Sequence, residues 1–436
     1  MIGPITQHKN KVSRKKDIYI ILIICFINAF LFTFILYPLL ENPFDFLVDG
    51  EGYHSLALNL SMGKGLFIDK GVDPLLSDYE RTTLLRPPLY PLFLSVIYSL
   101  FGARLEIVQL IHIILSTLTC LIVFIITREI YNRKVALVSS VVFALNPLIF
   151  WHIPRLYNEN LFIFILAFSM LYIVKLFQKL SLKTSMIAGA LIGIASLCKG
   201  QMYIFPFFLL PGLFYAFPEM KGKVLKCFFA LLFMMIIIIS PWTLRNYHIT
   251  HKFIPVQCGL GVHFLRGNVS SKYNFGFKNN SHAEAMRIAF EKERNYIERY
   301  SFKTNRKPGE MEVNGLFNKL SIESVKNEPI EFIKKIFTGI LAYWYLGGSQ
   351  FKSVLIAVIN LPMLLLACLG LFYSIKCKTN IIPLLLLILY FTLIHAVILA
   401  IARYSVPIMP YVIIFASFGI INLYEKLKEK TRGIFD

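Results

Sequence analysis

The sequence predicts an all-α polytopic membrane protein with about ten transmembrane helices and interfacial helices in a long first outer loop. Three observations predict the membrane fold. Hydrophobic residues make up 56% of the 436 and charged residues only 16%, a balance too apolar for soluble domains. Apolar runs recur along the whole chain, at 18–40, 107–127, 135–150, 161–177, 184–198, 202–217, 224–242, 354–375, 381–402 and 405–423. Lys and Arg gather in every second gap between these runs, as expected of loops that stay on the cytoplasmic side.

Residues 1–17 form a basic arm, 18–423 the membrane domain with outer loops 41–105 and 243–353, and 424–436 a basic tail. The inner clusters are Arg128, Arg133 and Lys134; Lys175, Lys179 and Lys183; Lys221, Lys223 and Lys226; and Lys376 and Lys378. They share one side only if both termini are cytoplasmic and the number of spans is even. The chain is therefore expected in the cell membrane. The formal charge of +20 is explained by these loops rather than by a nucleic-acid partner. No cleavable signal is expected, because the first run is too long for a signal core and lacks a small-residue cleavage site. The seven cysteines give neither a disulfide framework nor a zinc spacing.

The first run delivers Asp49-Gly50-Glu51-Gly52-Tyr53-His54 to the outer face. Tyr53, Leu56, Ala57 and Leu60 follow at helical spacing, predicting a short helix with one apolar stripe along the bilayer surface. Asp49 at its start reads locally as a helix cap. Residues 89–101 are apolar but rise only ~20 Å as a helix, so they are expected to be interfacial or re-entrant. Gly189 and Gly193 form a small-residue packing face within the fifth run.

The second outer loop carries 17 Lys or Arg against 9 Asp or Glu. Either an exposed charged helix around 284–300 or a surface for an anionic substrate accounts for the excess. Residues 332–346 read as an amphipathic helix returning to the membrane.

Three arginines from distant segments reach the outer interface beside aromatics and prolines. They lie in Arg86-Pro87-Pro88-Leu89-Tyr90-Pro91, Pro241-Trp242-Thr243-Leu244-Arg245-Asn246-Tyr247 and Ala402-Arg403-Tyr404-Ser405. A guanidinium fork binds phosphate oxygens in bidentate fashion and stays charged. Three of them with a carboxylate on the same side make a phosphate site with a base beside it; singly, each reads equally as an interfacial snorkelling side chain.

In that order these elements resemble the bacterial and archaeal glycosyltransferases of the GT-C fold that use polyprenyl-phosphate sugars. These are related to protein O-mannosyltransferases and to lipid A aminoarabinose transferases. The resemblance spans about 18–423. It implies transfer from a polyprenyl-phosphate-linked sugar to an acceptor hydroxyl on a lipid, polysaccharide or protein, on the extracytoplasmic face and with inversion. Asp49, four before Tyr53, is then the general base. Relatives carry Asp-Glu as a pair, whereas Gly50 follows Asp49 here and the second carboxylate is Glu51. Arg86, Arg245, Arg403 and Lys199 are the candidate donor-phosphate contacts. Tyr53, His54, Glu159, Asn246 and Tyr404 are candidate substrate contacts. The dispersed Asp49 and Glu51 give thin support for a divalent metal, and no other cofactor is implied. A flippase of lipid-linked sugars and a polymerase or ligase of lipid-linked oligosaccharides are the competing readings. The absence of internal repeats argues against the flippase.

Overall fold

The computed structural model describes residues 4–41, 48–69, 81–274 and 282–435, with side chains described for 16–41, 50–69, 83–272 and 282–429. Helix α1 (Pro4–Leu31) passes through a π-helical turn, Phe32–Leu36, into α2 (Tyr37–Leu40). The segment that follows folds into α3 (Val48–Ser61), a two-residue antiparallel pair β1 (Phe67–Ile68) and β2 (Arg81–Thr82), and α4 (Leu89–Phe101). This pair is the one departure from an all-α chain among the described residues.

Next come α5 (Leu105–Ile130), α6 (Arg133–Ala144), α7 (Pro147–Phe150), α8 (Glu159–Gln178), α9 (Leu182–Cys198), α10 (Phe205–Ala216) and α11 (Lys221–Thr250). The long segment after α11 is four helices, α12 (Leu260–Asn274), α13 (His282–Thr304), α14 (Glu310–Asn327) and α15 (Pro329–Tyr345). The chain closes with α16 (Gln350–Lys376), α17 (Ile382–Val397) and α18 (Met409–Phe435).

All ten apolar runs are helical. Among the described residues, six helices are long and apolar enough to cross a membrane: those at Lys16–Leu40, Leu105–Ile130, Glu159–Gln178, Pro218–Thr250, Gln350–Lys376 and Ala402–Glu429. The other four runs fold into shorter pieces. The run at 135–150 breaks at Asn146, whose side chain caps α7 ahead of Pro147. The last run begins as a 3-10 turn, Ala402–Ile408, which carries Arg403.

Helix contacts follow the small residues. A Cβ on Gly189 would run into the Leu231 carbonyl oxygen, and one on Gly193 would lie 2.8 Å from Ile238 Cβ. The expected small-residue face of α9 is thus where α11 packs. Helix α13 covers the stretch expected as a charged helix, with Arg287 bridging Glu284 and Glu291 on its exposed face.

Helix α3 differs from the expectation in one respect. Its stripe faces protein, because Tyr53, Leu56 and Ala57 are buried and α3 packs on α4 and β1. The return strand explains this. Asp69 accepts hydrogen bonds from Ser55 Oγ at 2.6 Å and Asn59 Nδ2 at 3.0 Å, tying the polar face of α3 to the loop. Burial opposes the charge on Asp69, yet these two donors hold its carboxyl below the usual carboxylate range.

Candidate active site

Position 49 lies in the first turn of α3, and its side chain lies outside the described residues. Three residues on, and hence one turn along the same helix, Gly52 supports the Arg86 guanidinium. A Cβ at 52 would come within 2.6 to 2.7 Å of Arg86 Nη2, Cζ and Nε, so only the bare Cα admits Arg86 there. Arg86 Cζ also lies 4.7 Å from the Tyr53 ring centroid. Glu51 is exposed on the opposite side of the turn. His54 Nδ1 stands 2.9 Å from the Tyr98 hydroxyl, and burial lowers its pKa, favouring the neutral ring.

Tyr53 connects this helix to the bundle. Asn158 Nδ2 donates to the Tyr53 hydroxyl at 3.0 Å and to the Cys198 carbonyl at 3.0 Å. Its neighbour Glu159 opens α8 and is fully buried. A buried carboxylate is tolerated only with strong partners, and Glu159 has two cations. Arg403 forks it, with Nε at 2.9 Å from Oε1 and Nη2 at 3.1 Å from Oε2. Lys199 donates to Oε1 at 3.1 Å. Arg403 Cζ also lies 3.7 Å over the Tyr157 ring, and Lys199 Nζ 5.6 Å from Tyr404.

Lys199 is therefore an ion-pair partner at the end of α9 rather than a freely snorkelling chain. Tyr404 is held from behind by its carbonyl, which accepts from the Tyr343 hydroxyl at 2.8 Å, and by its ring against His395. His395 and His112 are hydrogen-bonded core residues: His395 Nδ1 is 2.7 Å from the Phe391 carbonyl and His112 Nδ1 3.0 Å from that of Ile153.

Arg245 comes from the far end of α11. That helix continues through Pro241 to Thr250, so the Pro-Trp-x-x-Arg-Asn segment is helical rather than a loop following the span. Asn246 is buried and donates to the carbonyls of Ile254 and Val256, both at 3.1 Å, while Trp242 Nε1 donates to Val256 at 2.7 Å. This folds residues 254–258 back on the helix end. Arg245 then lies with Cζ 4.3 Å from the Trp242 centroid and Nη1 3.0 Å from Asn246 Oδ1.

The folded-back segment bridges the two halves of the site. Cys258 N donates to Leu84 O at 2.8 Å, two residues before Arg86, and Gln257 packs 3.1 Å from where a Cβ on Gly200 would be, next to Lys199. Glu310 from α14 accepts from Leu84 N at 2.6 Å. Glu310 and this bridge left no signal in the sequence reading, because each depends on contacts between distant loops.

The structure thus joins Arg86, Tyr53, Glu159, Lys199, Arg403 and Tyr404 into one connected cluster, with Arg245 and Asn246 attached through residues 254–258. The arrangement offers fixed cations beside an acid-bearing helix start, as charge neutralisation of a leaving group requires. Among the described residues, no three His, Cys, Asp or Glu side chains converge as a metal site would need.

A family model described as dolichyl-phosphate-mannose-protein mannosyltransferase matches residues 85–244. That stretch includes Arg86, Glu159 and Lys199 and stops one residue before Arg245. No curated protein sequence matches the chain. Among solved structures, an archaeal oligosaccharyltransferase from Archaeoglobus fulgidus, in complex with an inhibitory peptide and a dolichol-phosphate, superposes with a TM-score of 0.57 at 12% identity, covering 97% of this chain and 52% of that one. The oligosaccharyltransferase of the same organism, tethered with an acceptor peptide, gives 0.56 at 13% identity, covering 94% and 50%. The chain spans about half the length of these enzymes. The fold is the GT-C fold of membrane glycosyltransferases.

Proposed function

We propose that this chain is a membrane glycosyltransferase that moves a sugar from a polyprenyl-phosphate carrier to an acceptor hydroxyl on the extracytoplasmic face. Asp49 takes the acceptor proton as the oxygen attacks the anomeric carbon, and the carbon–oxygen bond to the phosphate breaks with inversion. The leaving group is a phosphodiester becoming a phosphate monoester. It needs charge neutralisation rather than a proton, and Arg86 and Arg245 supply that. Arg403 and Lys199 act with them at the far wall, where Glu159 holds both in place. Tyr53 and Tyr404 hold the cations Arg86 and Lys199 against their rings, His54 steadies the base, and Asn246 orients Arg245.

The observation that carries the reading is the seat of Arg86 on Gly52 and Tyr53, one helical turn from position 49. A cation fixed there can receive a phosphate where a base at 49 meets the acceptor. The family match and the dolichol-phosphate in the archaeal relative support the same donor class. The outward orientation rests on the Lys and Arg loops. Incubating membranes with a labelled prenyl-phosphate sugar tests the proposal. Appearance of label in a new glycoconjugate, with release of prenyl phosphate, is the expected result. Movement of the intact lipid across the bilayer without cleavage would identify a flippase and overturn it.

A further inference from the structure

Away from the cluster around Glu159, helices α12, α14 and α15 line a half-open cavity of about 180 Å³. Asn268, Ser271, Lys272, Glu328, Lys334 and Lys335 contribute to its walls. Lys335 is only 4% exposed. Its ammonium donates to Asn268 Oδ1 at 2.7 Å and to the Ile398 carbonyl at 3.0 Å, and lies 4.9 Å from the Phe264 centroid.

An ammonium has three N–H donors, and two are used here on neutral oxygens. Among the described residues no carboxylate pairs with Lys335, whereas the neighbouring Glu328 and Glu331 already pair with Lys272 and Lys334. The charge left without a counterpart in this cavity is that of Lys335. A buried unpaired cation is costly, and an anion in the adjoining space would offset that cost.

The outer surface of α15 indicates what brings the anion. Ile330, Ile333, Phe337 and Leu341 are all more than half exposed and fall at i, i+3, i+7 and i+11, a single apolar stripe. Lys334 and Thr338, on the adjacent flank of the same helix, line the cavity. Helix α15 packs on α16 and α17, with Gly339 against Ala396, so its exposed apolar stripe lies beside two apolar helices. A headgroup in the cavity would leave its acyl chains against this stripe.

We propose that the cavity binds the phosphate of an anionic membrane lipid, with Lys335 as its buried anchor and the lipid chains along Ile330, Ile333, Phe337 and Leu341. The site is independent of the transfer reaction, and binding alone tests it. The full chain is loaded with phosphatidylglycerol or phosphatidylcholine in detergent and the retained lipid is counted by native mass spectrometry. The wild type should retain phosphatidylglycerol at least ~10-fold better than Lys335→Met, the worth of one charge-assisted contact, and Lys319→Met should behave as wild type.

Thr338→Leu narrows the cavity from a half-buried position and leaves Lys335 in place, and should lose the lipid as well. It decides the matter if Lys335→Met fails to fold. Inorganic phosphate is the second probe. Phosphate binding as strong as that of the lipid would keep the site but make soluble phosphate its ligand. Binding of neither, or full lipid retention in both cavity variants, overturns the proposal.

Discussion

Alanine at position 52 would separate the placement of Arg86 from the stability of the helix beneath it. The new Cβ would lie 2.6 Å from Arg86 Nη2, where ordinary contact begins at 3.4 Å, so the guanidinium must withdraw by about 0.8 Å. The obstacle is the end of a flexible side chain, so the fold should yield cheaply. Gly52 is not among the glycines with positive φ, and alanine in a helix is favoured over glycine by about 0.5–1 kcal/mol. Melting in detergent should therefore be unchanged or slightly raised. Transfer should fall, because a displacement near 1 Å at a positioned charge costs up to ~10²-fold. The assay is sugar transfer from a labelled prenyl-phosphate donor, beside a melting curve on the same preparation. A folded Gly52→Ala protein with wild-type transfer would refute the role given to Arg86, and a protein that fails to fold would refute the account of the glycine.

Glu159→Gln should lower stability by about 3–5 kcal/mol, the usual consequence of removing the charge of a buried ion-pair partner, and shows as a markedly lower melting midpoint in detergent. Arg245→Ala should both raise the donor KM and slow transfer, since it removes a contact present before and during the reaction; steady-state kinetics against donor concentration separate the two effects. Burial pulls the Lys335 ammonium from 10.5 down to about 7, with Lys272 and Glu328 from the α12 and α14 side and Glu331 and Lys334 on α15 around the cavity. The unfolded chain then holds the extra proton between about 7 and 10.5, so stability without lipid should rise with pH across that window. Phosphatidylglycerol retention should run the opposite way, strongest below pH 7 and weaker above, as native mass spectrometry at a series of pH values would record.

The membrane architecture was legible because it depends on local pattern. Apolar length gave the ten helical runs, and the Gly189–Gly193 spacing gave the packing face that α11 covers. The helices at 282–304 and 329–345 followed from charge and amphipathic periodicity. What the sequence concealed lies in long-range pairing. Arg403 and Glu159 stand 244 residues apart, and nothing local distinguishes their ion pair from two interfacial charges. The burial of α3 was hidden for the same reason, since it depends on Asp69 reaching back to Ser55 and Asn59. Helix α11 runs on through Pro241, and at its end the folded-back carbonyls of Ile254 and Val256 engage Asn246 and Trp242, contacts that no local pattern announces.

Transfer by Asp49→Asn tests the central claim most directly. Asparagine keeps the size and the capping capacity of aspartate while removing its basicity. The account predicts a protein that folds and binds donor as the wild type does, with transfer reduced by ~10²–10⁴-fold, and a smaller effect for Glu51→Gln. A fully active Asp49→Asn protein would contradict the mechanism, and loss of transfer in Glu51→Gln alone would move the base two residues along the helix.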